Sequence, residues 1–263
     1  MVGVSGLWCG SSWSASSLCR GPRECFVQTI TALPPYVVED RCGRAVLDAR
    51  RHPLVTVEAD QVRVELRLAA GQLGCPGCAA VLRPWGWARP RAVHGLAGVL
   101  RPRRARCLGC LITHVLLPVT VLVRRAYAVE VIGAAVTAHA GGQGHRPIGR
   151  ALRVPDTTVR GWLRVLTGRL EPVRLLLLQV ASRAGVDQPV PSALGSPWRD
   201  LLAALGAAMV AVTSRFGPVG VLGPVTPWQV AAACSAGRML APGWPAQPGG
   251  PVATRVASAA AGG

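Results

Sequence analysis

Four cysteines in two short pairs are the residues of this sequence whose types and spacing fit a defined chemistry. The pairs are Cys75-Pro-Gly-Cys78 and Cys107-Leu-Gly-Cys110, and the 28 residues 79–106 separate them. A tetrahedral zinc ion binds four soft ligands, and each Cys-x-x-Cys turn presents two sulfurs from one stretch of backbone. The glycine at the third position of each pair permits the positive φ that such turns often need. The sequence therefore predicts one structural Zn²⁺ site formed by Cys75, Cys78, Cys107 and Cys110.

Three other interpretations of these cysteines stay open at this stage. A Cys-Pro-Gly-Cys sequence also occurs in redox-active dithiols, although those usually open a helix after a strand in a βαβ unit, which the sequence does not suggest. The pairs could be unligated thiols. His94 or His114 could replace a cysteine as ligand, although a single histidine near such a site is more often a surface or packing residue. The other five cysteines have no partner at ligand spacing and are assigned no role.

The charge of the chain is the second feature that limits its function. All 29 basic residues are arginine, 12 residues are acidic, and the net charge is +17 with a pI near 11.3. Residues 81–170 contain 15 arginines against Glu130 and Asp156, a local charge of +13. Such localisation indicates an anionic partner, either nucleic acid or an acidic membrane surface. The absence of lysine is typical of a GC-rich genome and does not by itself indicate bidentate phosphate contacts.

Composition and periodicity divide the chain into five segments. They are a poorly ordered N-terminal extension, a zinc-ribbon-like region, a helix-turn-helix, a C-terminal helical region and a disordered tail, at residues 1–53, 54–123, 124–170, 171–240 and 241–263. The extension has neither a basic n-region nor an apolar run of signal-peptide length. We therefore expect a reducing compartment, in which paired thiols are more often metal ligands than disulfides.

Local patterns predict the elements that position these residues. The alternation of Val62, Val64 and Leu66 favours a strand, but a short helix before the first cysteine pair fits equally well. Pro, Gly and alternating apolar and basic residues favour short strands and turns over 81–106, and 113–123 is expected to be extended. The expected helices are 124–140, 145–153 and 157–170, followed by apolar helices near 173–184, 197–214 and 227–240.

Residues 145–166 have the pattern of a helix-turn-helix. The apolar positions that give each helix a core-facing stripe are Ile148, Ala151 and Leu152, then Val159, Trp162, Leu163 and Leu166. Pro155 removes a backbone donor and disfavours helix at Val154, so a turn with a buried Val154 separates the two helices. Asp156 or Thr157 is expected to cap the second helix.

A segment of this kind would contact DNA through two groups of side chains. The second helix presents residues to the major groove, while a basic strand before the second cysteine pair tracks phosphates. The predicted helix contacts are Thr157, Thr158, Arg160 and Arg164. The predicted phosphate contacts are Arg101, Arg103, Arg104 and Arg106, with Arg124, Arg125, Arg146 and Arg150 as further candidates.

Five stretches resemble a known family. They are CPGC, RPRRARCLGC, THVLLP, EVIGAAVTAHAGGQGHRPIGRAL and VPDTTVRGWLRVL, and the region they define runs from about Leu73 to Val165, roughly a third of the chain. This region resembles the zinc ribbon and helix-turn-helix at the start of many bacterial insertion-sequence transposases, and in particular transposase-related proteins of uncharacterised function from high-GC bacteria. The resemblance implies that the four cysteines bind zinc and that the helix from Thr157 to Arg164 is the recognition helix.

The sequence carries no catalytic constellation of a familiar kind. A DDE transposase needs three carboxylates for two metal ions within an RNase H-like fold. After Leu170 the only acidic residues are Glu171, Asp187 and Asp200, in apparent loops and apolar helices. There is no G-x-S-x-G elbow and no Walker-type phosphate loop, and all five histidines precede the apolar C-terminal helices. We therefore expect no enzymatic activity.

The expected fold is mainly α with a small β zinc ribbon, a homeodomain-like three-helix helix-turn-helix and apolar C-terminal helices. The expected function is non-catalytic binding of double-stranded DNA in the cytoplasm, on the nucleoid, by a transcriptional regulator or a transposase-derived protein. The C-terminal helices could form a homodimer, which suits a two-fold operator. The longest apolar run, residues 201–212, is shorter than the ~20 residues of a membrane span. The alternatives are an accessory or decayed DNA-binding part of an insertion-sequence transposase and a basic membrane-associated protein.

Overall fold

The computed structural model describes most of the chain after residue 53. The described residues are 54–184, 189–217, 219–220 and 223–245. The expectations for residues 1–53 and for the tail after residue 245 lie outside this part. Ala241 is buried and Trp244 packs against the helical core, so packed chain extends past the expected boundary at 240.

The protein is mainly α with a small β component, as the sequence predicts. In the described residues the helices are α1 (Gln61–Ala69), α2 (Val129–Ala140), α3 (His145–Leu152), α4 (Asp156–Thr167), α5 (Leu170–Arg183), α6 (Pro197–Phe216) and α7 (Pro227–Cys234). The strands there are β1 (Leu54–Val57), β2 (Leu82–Trp87), β3 (Arg91–Ala92), β4 (Val99–Leu100), β5 (Arg103–Cys107), β6 (Thr113–Pro118), β7 (Val219–Gly220) and β8 (Gly223–Pro224).

The largest sheet of the described residues is mixed and has the strand order β1-β6-β5-β2. Strands β2, β5 and β6 pair antiparallel, and β1 adds to β6 in parallel, with Leu54 opposite Val115. The pairing of Leu82 with Cys107 aligns the chain after the first cysteine pair with the chain before the second. Strand β6 ends at Pro118, so the extended segment is shorter than the predicted 113–123.

The segment before the first cysteine pair contains both a strand and a helix, which answers the question that periodicity left open. Asp60 begins α1, and its side chain accepts hydrogen bonds from the backbone N–H groups of Val62 and Arg63. Within the helix Val64 and Leu68 are buried at i, i+4 spacing, whereas Val62 is 68% exposed. The apparent strand alternation was therefore a coincidence of helical positions.

Helices α2, α3 and α4 correspond to the three predicted helices, with shifted ends. The first begins at Val129 rather than at residue 124, because Arg124 has a φ of 58° and Ala128 is bonded to His94 across the preceding loop. The second ends at Leu152, since Arg153 adopts the left-handed conformation. The third ends at Thr167, and a new helix starts at Leu170.

One continuous apolar core joins α2–α4 to the C-terminal helices. Ile132, Trp162 and Leu166 contribute to it together with Leu177 and Leu205. A second, smaller core lies under the sheet and includes two of the paired cysteines, Cys75 and Cys107. Helices α2–α4 therefore share one core with helices α5–α7, which contribute a large part of its buried residues.

A buried ion pair fixes α1 to the sheet. Arg67 Nη1 lies 2.9 Å from Glu58 Oε2, and the two side chains are 8% and 0% exposed. Glu58 Oε1 and Arg67 Nη2 have no other hydrogen-bond partner among the described residues. Burying two charges is costly, so each depends on the other for compensation in this position.

Replacement of Glu58 by alanine should lower the free energy of unfolding by about 3–5 kcal/mol, because it leaves the Arg67 charge buried and unpaired. Urea denaturation followed by circular dichroism measures the change. The double variant Glu58→Leu/Arg67→Met, which removes both charges and keeps apolar volume, should recover most of the loss. An equal loss in the double variant would show that packing, not charge pairing, holds α1.

Candidate functional site

The structure brings the four predicted cysteine ligands together. The sulfurs of Cys75, Cys78, Cys107 and Cys110 all lie within 4.8 Å of one another. The closest approaches are 3.7 Å between Cys75 and Cys110 and 3.3 Å between Cys78 and Cys107. Four sulfurs at 2.3 Å from a tetrahedral metal are about 3.8 Å apart, so the cluster is compatible with one metal ion.

Each pair occupies the same kind of turn. The N–H of Cys75 donates to the Ala80 carbonyl at 2.8 Å, and the N–H of Cys107 donates to the Ile112 carbonyl at 2.9 Å. The positive φ angles fall on Ala79 at 58° and Leu111 at 61°, the residues directly after each pair. The prediction that the glycine at the third position supplies the positive φ is therefore wrong.

The glycine of the second pair has a steric role instead. A Cβ atom on Gly109 would lie 2.9 Å from the Ala80 side chain and 3.2 Å from the Cys78 sulfur, so a larger residue would push the two turns apart. Its backbone N–H points to the Cys107 sulfur at 3.3 Å, and that of Cys110 does so at 3.4 Å. Such N–H groups stabilise thiolate ligands.

The electrostatics of the cluster favour a bound cation over a free dithiol. Burial raises the pKa of Cys75 to about 12. Burial also acts to raise the pKa of Cys107, but the hydrogen bonds from Cys110, Cys78 and Gly109 outweigh it and lower that pKa to about 7. Gathering further thiolates beside the first needs positive charge between them, which a metal ion supplies.

A redox dithiol fits this geometry less well. The shortest sulfur contacts join Cys75 to Cys110 and Cys78 to Cys107, so they run between the two pairs rather than within a pair. All five cysteines of the described residues are free thiols.

The two histidines weighed as alternative ligands lie in different places. His114 on β6 is fully buried, and its Nε2 is 3.4 Å from the Cys75 sulfur, behind the cluster. With a metal bound, the Cys75 thiolate would accept a hydrogen bond from Nε2, and Nδ1, which has no partner among the described residues, would be the deprotonated nitrogen. Burial lowers the pKa of His114, which favours this neutral form. His94 is exposed, with Nε2 near the Leu152 carbonyl.

The arginines of the predicted phosphate-binding strand differ in their surroundings. Arg101 and Arg104 are exposed. Arg103 is largely buried, since its side chain pairs with Glu65 at 2.9 Å and donates to the Gly86 carbonyl. Arg106 donates to the Leu111 carbonyl. The local charge is therefore shared between solvent-facing arginines and arginines that hold the sheet.

Two tryptophans on β2 were missed by the sequence analysis. Trp85 is 56% exposed and Trp87 is 39% exposed. The Arg106 guanidinium lies 4.6 Å from the Trp85 ring centre, and Arg103 lies at the same distance from Trp87. The sequence WGW beside alternating arginines was the signal that could have identified them.

The further candidate arginines are also divided. Arg146 and Arg150 are exposed on α3. Arg124 is exposed and lines an open cavity of about 630 Å³, whereas Arg125 donates to the Leu240 carbonyl at 2.6 Å and joins the loop before α2 to the chain after α7. Arg125 therefore has a structural contact in addition to its predicted role.

Helix α4 has the two faces that the sequence predicts. The residues of its predicted apolar stripe, Val159, Trp162, Leu163 and Leu166, are all buried, and Val154 in the preceding turn is 5% exposed. Thr157, Arg160 and Arg164 are exposed and Thr158 is half-buried. On α3, Ile148 is buried, but Ala151 is exposed and so lies outside the stripe.

The cap of α4 differs from the expectation. Pro155 occupies the N-cap position and no side chain caps the helix there. Asp156 is the first helical residue, and its carboxylate accepts from the N–H of Thr157 at 2.9 Å. A negative charge in the first turn still stabilises the helix through its dipole.

The loop of the separate two-stranded β3–β4 sheet packs against α2–α4. The His94 ring packs on Tyr127, and Tyr127 packs edge-on against Trp162 of α4 at 4.9 Å. A Cβ on Gly95 would lie 2.5 Å from a Val131 methyl group, so only glycine permits this close approach to α2. The loop of the β3–β4 sheet is thereby packed against the three-helix unit.

Comparison of the chain with protein-family models, curated proteins and solved structures gives no match. In the part of the chain that the structure describes, no helix is both long and apolar enough to cross a bilayer.

Cys75→Ala should reduce the metal content of the purified protein from one ion per chain to near zero, because three remaining sulfurs do not complete the tetrahedron. Elemental analysis by mass spectrometry measures the ratio. Cys234→Ala is the matched control, since Cys234 is also buried but lies in α7 outside the cluster. Equal metal content in the two variants, or none in the parent protein, would contradict a four-cysteine metal site.

His114→Leu should weaken metal affinity by about 10–100-fold, the usual effect of removing a hydrogen bond to a ligand. Competition with a chromogenic chelator measures the affinity, with the exposed His94→Leu as control. An unchanged affinity would show that the His114 contact is only packing, and a complete loss of metal would identify His114 as a ligand itself.

Proposed function

We propose that the protein is a non-catalytic DNA-binding protein in which a zinc ribbon supports a helix-turn-helix. The observation that carries the proposal is the helix pair α3–α4, with a buried turn on one side and a polar, positively charged face on the other. The buried side includes Val154 in the turn, and the solvent-facing side includes Thr157, Arg160 and Arg164. A helix with that face is suited to the major groove.

The close packing of the turn supports this interpretation. A Cβ on Gly149 would lie 2.8 Å from the Val154 carbonyl oxygen, so α3 and the turn approach each other as closely as glycine allows. Arg153 in the left-handed conformation ends α3 and directs the chain into α4. Both features fix the angle between two helices that a DNA-binding unit must present rigidly.

The charge of the helical unit also supports DNA as the partner. Residues 131–170 contain six arginines, and Asp156 is their only acidic residue. Arg146, Arg150, Arg160 and Arg164 have exposed side chains, so most of that charge faces solvent. Arginines so placed release counterions when they contact phosphates, and the affinity then falls steeply with salt.

Zinc is the metal that best fits the proposed ribbon. Four thiolates in a tetrahedral arrangement select zinc or iron among common metals. The structural role favours zinc, since a closed set of four ligands leaves no open position for a substrate. The ribbon would fix the loop that contacts Tyr127 and, through it, the recognition helix α4.

We also propose that the protein is not an enzyme and that it forms a homodimer. In the described residues, the four cysteines form the only cluster of three or more potential metal ligands. A homodimer through the C-terminal helices would suit a two-fold operator. The exposed Leu175 on α5 and Val210 on α6 are apolar positions that such a contact could cover. Binding to chromosomal DNA would locate the protein on the nucleoid.

Arg160→Ala should weaken binding to a selected duplex by about 1–3 kcal/mol and relax sequence preference at the contacted base pair. The duplex comes from selection out of a random library, and fluorescence anisotropy over a salt series measures affinity. Arg183→Ala, an exposed arginine in the last turn of α5, is the matched control and should change affinity little. The proposal fails if selection enriches no sequence, or if the two variants weaken binding equally.

A further inference from the structure

The sheet region carries an unusual distribution of charge. Residues 66–129 contain ten arginines and no aspartate or glutamate, and the structure describes every one of them. Two carboxylates from outside this segment pair with its arginines, Glu58 with Arg67 and Glu65 with Arg103, and the remaining arginines leave a net positive charge that attracts polyanions at low salt. Charge alone does not distinguish one polyanion from another, so the side chains between the arginines decide the partner.

Strand β2 presents two of these side chains at the edge of the sheet. It is the terminal strand in the order β1-β6-β5-β2, and its register with β5 shifts between Pro84 and Gly86, which leaves Trp85 without a direct partner. Gly86 has a φ of 142°, a conformation that glycine adopts readily. Such a bulge re-aims the side chain at its centre, here an exposed tryptophan.

Arginines hold both rings. Arg106 lies 4.6 Å from the Trp85 ring centre, while Arg103 and Arg101 lie 4.6 and 5.6 Å from that of Trp87. A guanidinium over an aromatic face stabilises the orientation of the ring and carries positive charge next to it. Trp85 nevertheless remains 56% exposed, so most of its surface is available to a ligand.

We propose that this Trp85–Trp87 surface of β2 binds single-stranded nucleic acid, with unpaired bases stacked on the tryptophans and phosphates beside the arginines. Exposed aromatic rings among positive charges are what a single strand needs, because every base offers a flat face and every linkage a charge. In a duplex the base faces are covered by their neighbours, so the rings cannot stack on them.

The proposed surface is separate from the face of α4 that would read a duplex. It lies on β2 and β5, and none of its residues belongs to α3 or α4. The single-strand activity therefore goes beyond the duplex function and does not depend on it. DNA and RNA single strands share the chemistry that this surface recognises, and the experiment distinguishes them.

The experiment measures affinity of the full metal-loaded chain by fluorescence anisotropy for four labelled probes of equal length. These are a 12-nucleotide oligothymidylate, the matching oligouridylate, an abasic oligomer with the same phosphates, and a 12-base-pair duplex. The abasic oligomer separates stacking from charge. The variants are Trp85→Ala, Trp85→Phe and, as an exposed control on the second cysteine turn, Leu108→Ala, because Leu108 is 59% exposed.

The parent protein should bind oligothymidylate more tightly than the abasic oligomer, and Trp85→Ala should lower the oligothymidylate affinity about tenfold while leaving abasic binding unchanged. Trp85→Phe should retain most of the affinity, and Leu108→Ala all of it. If Trp85→Ala loses a comparable affinity for oligouridylate, the surface binds both DNA and RNA single strands. If the loss of affinity is limited to oligothymidylate, the surface binds DNA. Metal analysis of each variant checks that the cysteine cluster is intact.

Two results would overturn the inference. One is equal affinity of the parent protein for oligothymidylate and the abasic oligomer, since bases would then contribute nothing. The other is an Arg160→Ala variant that loses single-strand affinity as much as Trp85→Ala, which would place the strand on α4. A failure to bind any duplex specifically would contradict the helix-turn-helix proposal alone and leave the oligothymidylate comparison intact.

Discussion

The convergence of four sulfurs from two distant turns is the constraint on which the rest of the sheet region depends. The turns are far apart in sequence, and the antiparallel pairing of Leu82 with Cys107 sets them side by side. Like charges at sulfur separations of 3.3–3.7 Å repel, so an ionised cluster needs a cation at its centre. Binding of a metal ion at this cluster would be coupled to sheet pairing, because each would lower the free-energy cost of the other. Strand β5, which carries the basic residues, leads directly into the second turn and pairs with the edge strand β2. The position of the cluster therefore also sets the positions of these two strands.

The orientation of the helices follows from the same region through a short series of close contacts. Strand β6 carries His114 behind the cluster and then leads into the loop that precedes α2. Two glycines pack close to the elements on either side of that loop: a Cβ on Gly95 would lie 2.5 Å from Val131 of α2, and a Cβ on Gly237 would lie 2.8 Å from Leu117 of β6. Contacts of this kind tolerate little adjustment, since interiors are packed to high density. These two glycines therefore allow the loop of the β3–β4 sheet to pack on α2, and the chain after α7 to pack on β6.

Much of this architecture could be predicted from local patterns in the sequence, and the rest depends on nonlocal contacts. The cysteine spacing was sufficient to group the four sulfurs, and the apolar stripe of α4 was sufficient to bury Val159, Trp162 and Leu166, because both depend on chemistry within a few residues. The start of α2 was misplaced because Arg124 takes a left-handed conformation within a loop held by distant partners. The positive φ after each cysteine pair falls on Ala79 and Leu111, residue types that give no sign of it. A binding role for Trp85 could not be predicted from the sequence, because it depends on Arg106 of β5 lying beside the ring in the folded chain.

A chain whose basic residues are all arginine uses that residue for two different tasks, and the net charge does not separate them. Arg103, Arg125 and Arg169 donate to backbone carbonyls of Gly86, Leu240 and Met239, so their guanidinium groups join segments that are far apart in sequence. Burial, together with the nearby Arg125 charge, lowers the pKa of Arg169. Guanidinium suits such contacts because its fork of donors satisfies several acceptors at once. Within the described residues, the arginines that face solvent, among them Arg104, Arg150 and Arg160, are the ones whose charge is available to an anionic partner.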